Sequence, residues 1–133
     1  MSMQRSLNLL ILLTAITVGP SAAMADNPCG RWAGSWCSTT NGHHGRIHAR
    51  VCQIDGSTYK MRFTGTFLGV VPFTYSVPMT VTGQTAAGRT SLSGQSHLPL
   101  FGNFCCNAEV GACDFVASYT SPKDQGTFTM QRR

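Results

Sequence analysis

Residues 59–81 read YKMRFTGTFLGVVPFTYSVPMTV, and this stretch decides the fold. Large apolar side chains occupy every second position on both sides of a central LGVVP break. Alternation with a period of two is typical of a β-strand that buries one of its faces. The stretch therefore predicts two strands that form an antiparallel hairpin and turn their apolar faces to the same side.

The register of this hairpin is predicted by matching its apolar faces. Centring the turn on Val70 pairs Phe67 with Phe73 and sets Tyr75 over Gly65. Sheets use such aromatic-on-glycine pairs where they bend. Because a slip of one residue would turn a whole apolar face outward, matched faces are stronger support for a hairpin than alternation alone.

Alternation punctuated by glycine, asparagine, aspartate and proline continues on both sides, and no segment after residue 25 shows helical spacing. It predicts strands at about 31–39, 46–54, 58–67, 73–82, 89–97, 101–105, 114–121 and 126–132. Strands at this spacing indicate an all-β fold. We predict an antiparallel up-and-down β-barrel of about eight strands, with a β-sandwich as the alternative.

The first and last hairpins also match their faces. A turn at Asn-Gly, residues 41–42, pairs Trp36 with Ile47. The last hairpin places Arg132 on the inward face, opposite Phe115. The ends of the chain thus contribute to the same predicted interior.

Residues 1–25 have a different character. A short apolar run follows Arg5, Gly-Pro breaks it, and Ala-Met-Ala ends it at Ala25. This is the pattern of a cleaved secretory signal peptide, and the run is too short for the roughly 20 residues of a membrane span. We expect one domain at 26–133, exported to the periplasm or outside the cell. After cleavage we expect no stable membrane span.

All six cysteines lie after the predicted cleavage site. An even number in a small exported domain predicts disulfide bonds, for which fifteen pairings exist. The strand assignment favours the bonds Cys29–Cys52, Cys37–Cys105 and Cys106–Cys113.

The start of the first strand, Gly30-Arg31-Trp32, together with an inward Arg132 on the last, resembles the calycin barrels of lipocalins and avidins. The resemblance implies that the arginine crosses the tryptophan at one end of the barrel. The chain also resembles bacterial exported β-rich proteins of uncharacterised activity, which share a Gly-His-His-Gly turn at 42–45 and an Asp-x-Gly-x-Phe-x-Met ending at 124–130.

An eight-stranded barrel either fills its interior with side chains or holds one small ligand. A chain of this length favours the packed interior. The candidates for lining a ligand cavity are the inward residues Trp32, Trp36, Met61, Phe63, Tyr75, Met79, Phe115, Tyr119, Met130 and Arg132.

A second candidate site lies on the outward face of the second and third strands. It is basic and consists of Arg46, His48, Arg50, Lys60 and Arg62. The chain carries a net charge of +5, so this face could attract an anionic component of the cell envelope. The alternative is a solvated polar face. His43, His44 and His48 could form a metal site, but a polar turn is the favoured interpretation of these residues.

Five acidic residues with no close pair give no constellation for acid–base or nucleophilic catalysis. We therefore expect a non-enzymatic binding module without a cofactor. Its partner would be a small apolar ligand or an anionic envelope component, and not nucleic acid. The alternative is a structural or interaction protein of the envelope. A weaker one is a secreted enzyme inhibitor that uses a protruding loop at 98–113.

Overall fold

The computed structural model describes residues 27–99 and 102–133. The predicted signal peptide, residues 1–25, lies outside the described residues. The described part forms eight strands: β1 (Gly30–Ser38), β2 (His44–Gln53), β3 (Thr58–Phe67), β4 (Val71–Gln84), β5 (Thr90–Leu98), β6 (Gly102–Val110), β7 (Asp114–Thr120) and β8 (Gln125–Arg132).

The strands close into one antiparallel barrel in sequence order, with β8 paired to β1. This confirms the predicted up-and-down barrel and excludes the sandwich. Closure gives every strand a neighbour on both sides, although β4 and β5 pair with each other only over residues 79–84 and 90–94.

Inward and outward positions alternate along the strands, as the sequence pattern predicts. β2 shows this plainly, since Ile47, Ala49 and Val51 are buried while the residues between them are exposed. The largest fully buried side chains fill the middle of the barrel: Trp32, Phe63, Phe115, Ile47, Met61, Met79, Leu92 and Met130. Removal of this apolar surface from water is the main stabilising contribution.

The predicted registers of the three hairpins are wrong by two residues. Trp36 lies opposite Gly45, Phe67 opposite Val71, and Phe115 opposite Met130. A shift of two keeps every side chain on its own face, so matching the faces could not detect it.

The turns explain these shifts. In the β1–β2 turn Gly42 adopts a positive φ of 74° and donates its backbone N–H to Ser38 O, so Asn41-Gly42 ends a longer loop instead of forming its centre. The β3–β4 turn centres on Gly69, which also has a φ of 74°, and not on Val70.

The aromatic ring over Gly65 accordingly belongs to Phe73 and not to Tyr75. A Cβ at position 65 would lie 2.5 Å from Phe73 Cζ, so only glycine fits beneath this ring. The sequence thus predicted the correct glycine, Gly65, but the wrong aromatic residue above it.

β6 is longer than predicted, since it runs to Val110 and not to residue 105. Residues 102–110 pair with β5 and residues 105–110 pair with β7. The predicted protruding loop at 98–113 is therefore wrong for most of its length, because this segment is part of the barrel wall.

Candidate functional site

The two ends of the barrel are built differently. We call the end that carries the turns after β1, β3, β5 and β7 the open end, and the other the closed end. At the closed end, residues 27–29 fold over the barrel, and Trp32 Nε1 donates to Pro28 O at 2.9 Å. Pro28 is fully buried there.

Arg132 completes the closed end. Its guanidinium carbon lies 4.3 Å from the centre of the Trp32 ring, a cation–π contact. The same side chain donates to the carbonyl oxygens of Asn27 and Cys29, at 2.7 Å each, and of Ala112 at 2.9 Å. The arginine–tryptophan contact implied by the calycin resemblance is thus present in this chain.

The open end contains a pocket of about 260 Å³. Its walls are mostly aromatic and aliphatic, and the lining residues are Trp36, Phe67, Val71, Pro72, Phe73, Tyr75, Leu98, Phe104, Tyr119, Ser121, Asp124 and Phe128. A concave, apolar site with a few polar groups is the usual form of a small-molecule site.

Contacts between rings hold the pocket walls in place. Phe104 and Tyr119 stack with their centres 5.7 Å apart, and Tyr119 stacks on Phe128 at 4.9 Å. Trp36 stacks on Phe67 at 6.0 Å and donates its Nε1 hydrogen to Thr66 O at 3.2 Å. Because these rings lie on the strands of the barrel and pack on one another, the pocket is formed by the barrel itself.

One charged group stands in the apolar wall, the carboxylate of Asp124 in the β7–β8 turn. Its Oδ1 accepts a hydrogen bond from Ser38 Oγ, and its Oδ2 accepts one from the Tyr119 hydroxyl at 3.0 Å. The turn is locked by Ser121, whose Oγ donates to Asp124 O and accepts from Asp124 N–H.

Two phenols of the pocket are held in their protonated form. Burial raises the pKa of Tyr119 above its ordinary value, and the hydrogen bond to the Asp124 carboxylate raises it further. Burial also raises the pKa of Tyr75 well above its ordinary value. The pocket therefore keeps neutral hydroxyl groups and one carboxylate as its polar groups.

Three of the predicted lining residues are in this pocket: Trp36, Tyr75 and Tyr119. The others lie elsewhere: Met61, Phe63, Met79, Phe115 and Met130 are in the packed middle, and Trp32 and Arg132 are at the closed end. The interior is thus filled over most of its length and hollow at one end. Sequence reasoning missed Asp124 and the ring of Phe104, although both lie near strand ends that the hairpins bring together.

The predicted basic face is exposed on the outside of β2 and β3: Arg46, His48, Arg50, Lys60 and Arg62. The register adds a residue that sequence reasoning missed, because Arg31 of β1 lies directly opposite Arg50, which in turn lies opposite Arg62. The predicted register, wrong by two, placed Ala33 opposite Arg50 and so concealed this alignment.

The three histidines of the candidate metal site, His43, His44 and His48, have different surroundings. The His43 ring packs on Phe67 with centres 5.0 Å apart, while His48 lies on the outer face of β2. Across residues 27–99 and 102–133, no group of three or more histidine, cysteine, aspartate or glutamate side chains is placed to hold a metal ion.

The predicted disulfides are not formed, and all six cysteines are thiols in the structure. Cys106 points into the barrel whereas Cys113 is exposed in the turn after β6, so these two cannot bond. Cys37 is in β1 and Cys105 in β6, and the strands β7 and β8 lie between them, about 14 Å across.

Cys29 and Cys52 are the third predicted pair, and a turn of the backbone separates them. Continuing the β1–β2 register beyond Gly30 and Val51 would bring Cys29 opposite Cys52. Gly30, with a φ of 130°, turns the chain so that Cys29 packs partly on the core while Cys52 stays exposed. The sulfur atoms are therefore not joined.

The fold and the pocket define the class of molecule: a closed eight-stranded antiparallel barrel, packed in its middle, with an apolar pocket at one end. Comparison with protein-family models, characterised proteins and solved structures finds no match to this chain. Among the described residues, no helix is long and apolar enough to cross a membrane.

Proposed function

We propose that this protein is an exported, non-enzymatic binding module that holds one small, largely apolar ligand in the pocket at the open end. The observation that carries the proposal is the pocket itself, in which aromatic walls converge on a single carboxylate. The leader pattern at residues 1–25 supports export, and the resemblance to calycins supports ligand binding within a barrel.

The size of the pocket supports a small ligand. Its volume of about 260 Å³ is slightly below the roughly 300–1,000 Å³ of typical drug-sized sites. A molecule with one or two rings would fill it and remove the surrounding aromatic surface from water. Burial of apolar surface would provide most of the affinity.

The Asp124 carboxylate supports a ligand that also carries a hydrogen-bond donor. Its two oxygens already accept bonds from Ser38 and Tyr119, and each carboxylate oxygen has a second lone pair. A hydroxyl or amine of the ligand could donate to one of these lone pairs. The ligand would then be an amphiphile with one polar end.

The proposal is tested by titrating the folded protein with 1-naphthylamine, a two-ring fluorescent dye that carries an N–H donor, and following dye fluorescence. Two neighbouring valines in the β3–β4 hairpin offer a matched pair. Val71 lines the pocket, whereas Val70 is 79% exposed and does not line it.

Val71→Trp is expected to fill the mouth and weaken dye binding by about tenfold, which is ~1.4 kcal/mol. Val70→Trp is expected to bind as the unaltered protein does. Absence of saturable dye binding by the unaltered protein would overturn the proposal, and so would equal affinity of the two variants.

The second candidate, an interaction protein of the cell envelope, is favoured by the alignment of arginines on the outer face. The enzyme-inhibitor alternative loses its support, because the segment that was to protrude is largely β6.

A further inference from the structure

The outer face of the barrel carries three arginines in direct register. Arg31, Arg50 and Arg62 are cross-strand neighbours on β1, β2 and β3, and all three are exposed. We call them the arginine row. Neighbouring strands are about 4.8 Å apart, and like charges directly opposite each other destabilise a sheet. A bound counter-charge would offset this cost.

That counter-charge is not present among the described residues. Glu109 and Asp114 are within ion-pair distance of Arg89, at 3.7 and 2.7 Å. Asp55 accepts hydrogen bonds from the backbone N–H groups of its own turn, and Asp124 is engaged at the pocket. Within residues 27–99 and 102–133, the ion pairs formed are those of Arg89, and none involves the arginine row.

The surface around the arginine row is shaped to receive a group from outside. A shallow depression is lined by all three of its arginines, by Arg133, by polar or small residues that include Thr64, and by Trp32, which is only 1% exposed. Several guanidinium groups around one depression can bind an oxyanion with paired N–H donors. The depression therefore suits a sulfate or carboxylate group.

The positive charge extends beyond the depression. Arg46 continues it along β2 towards the open end, and Lys60 continues it on β3 towards the closed end. With the arginine row and Arg133, these residues form what we call the basic stripe. At about 3.4 Å per residue it is about 20 Å long, which is longer than one small anion needs.

The neighbouring side chains indicate which polyanion fits. Outward positions between the cations hold residues such as Ala33, Ser35 and Thr64. None of these offers an aromatic face on which a nucleobase could stack, or a large apolar side chain to enter a lipid layer. The stripe therefore favours a polyanion with neither bases nor acyl chains.

We propose that the basic stripe binds a linear anionic polysaccharide. One of its sulfate or carboxylate groups enters the depression lined by the arginine row. The binding neutralises the repulsion within the arginine row. This site lies on the outer face and is independent of the ligand pocket.

The test uses a fluorescein-labelled heparin oligosaccharide as the probe, with binding followed by fluorescence anisotropy at several salt concentrations. Arg50→Gln removes the middle charge of the row. Lys123→Gln is the matched control, because it changes the net charge equally at the exposed β7–β8 turn.

We expect Arg50→Gln to weaken heparin binding by about tenfold and to lower its salt dependence, and Lys123→Gln to change it less than about twofold. Arg50→Gln should also unfold at the same or a higher temperature than the unaltered protein, since it relieves like-charge repulsion. Heparin should raise the midpoint of thermal unfolding less in this variant.

Equal losses in the two variants would overturn the proposal, because binding would then depend on net charge alone. Tighter binding to vesicles containing phosphatidylglycerol, or to single-stranded DNA, than to heparin would assign the stripe to a membrane or a nucleic acid instead. The Val71→Trp variant is expected to bind heparin normally. Failure of the pocket proposal can therefore be distinguished from failure of the stripe proposal.

Discussion

The two ends of this barrel share one sheet and one alternating pattern, yet one end is filled and the other is hollow. At the closed end the chain supplies its own plug, since Pro28 covers Trp32 and Arg132 holds the covering segment by its carbonyl oxygens. At the open end Trp36 lies on the same inward face of β1, but a pocket adjoins it. The difference shows that the residues outside the strands decide whether an end is filled or hollow.

The largest effect that can test this comparison is the loss of stability when each tryptophan is replaced by alanine. Trp32→Ala should cost about 3–5 kcal/mol of unfolding free energy, because it opens a void in a packed region. Trp36→Ala should cost about 2 kcal/mol, because its ring already borders a pocket and is therefore packed on fewer sides. Urea unfolding of both variants measures the difference.

The dye titration separates the two tryptophans further. Trp36→Ala should alter dye binding, whereas Trp32→Ala, if studied below its unfolding transition, should leave it unchanged. Equal stability losses at the two positions would show that the ends do not differ in packing.

Sequence reasoning could predict the barrel but not the difference between its ends. Alternation identifies the inward residues of most strands, but not those of β6 beyond residue 105, and it found Trp32 and Trp36 alike. It contains no signal for the plug, because Pro28 and Cys29 precede the first strand and become ordered through Arg132, about a hundred residues away. Nor could it locate the arginine row, since a register shift of two residues leaves every face unchanged while exchanging every partner.

A smaller effect on stability is expected from Cys106, which lies in the layer of side chains beneath the pocket. Cys106 is fully buried and lies opposite Tyr119 in the β6–β7 register. Burial, and to a lesser extent the neighbouring Cys105, raises the pKa of the Cys106 thiol to about 12. An unfolded chain ionises this thiol near pH 9, while the folded chain keeps its proton.

The raised pKa stabilises the fold fully below about pH 9, and this contribution is lost as the pH rises towards 12. Between these values the unfolding free energy should fall by about 1.4 kcal/mol per pH unit from this group. Cys106→Ala should make the fall between pH 9 and 10 shallower in urea unfolding. An unchanged slope would contradict the burial of the thiol.

Alkylation examines the same layer directly. With iodoacetamide at pH 8, the exposed residues Cys37, Cys52 and Cys113 should react in the folded protein, and Cys106 only after unfolding in urea. Intact mass counts the modified sites. Rapid modification of Cys106 in the folded state would mean that the pocket opens deeper into the barrel than its walls now indicate.

The smallest effect is expected at the carboxylate that distinguishes the pocket from the packed middle. Asp124→Asn keeps the shape of the turn side chain but removes the charge that accepts the Tyr119 hydroxyl. Stability should fall by about 1 kcal/mol, the typical value of one such hydrogen bond. The pKa of Tyr119 should fall towards its ordinary value but stay above it, because burial, its larger cause, remains. Ultraviolet titration of the phenols would show this as one tyrosine ionising at lower pH in the variant. If the tyrosine spectra of the two proteins coincide at every pH, Asp124 does not control the pocket's hydroxyl group. The hydroxyl groups of Tyr75, Tyr119 and Ser121, and not the Asp124 carboxylate, would then orient a polar ligand group.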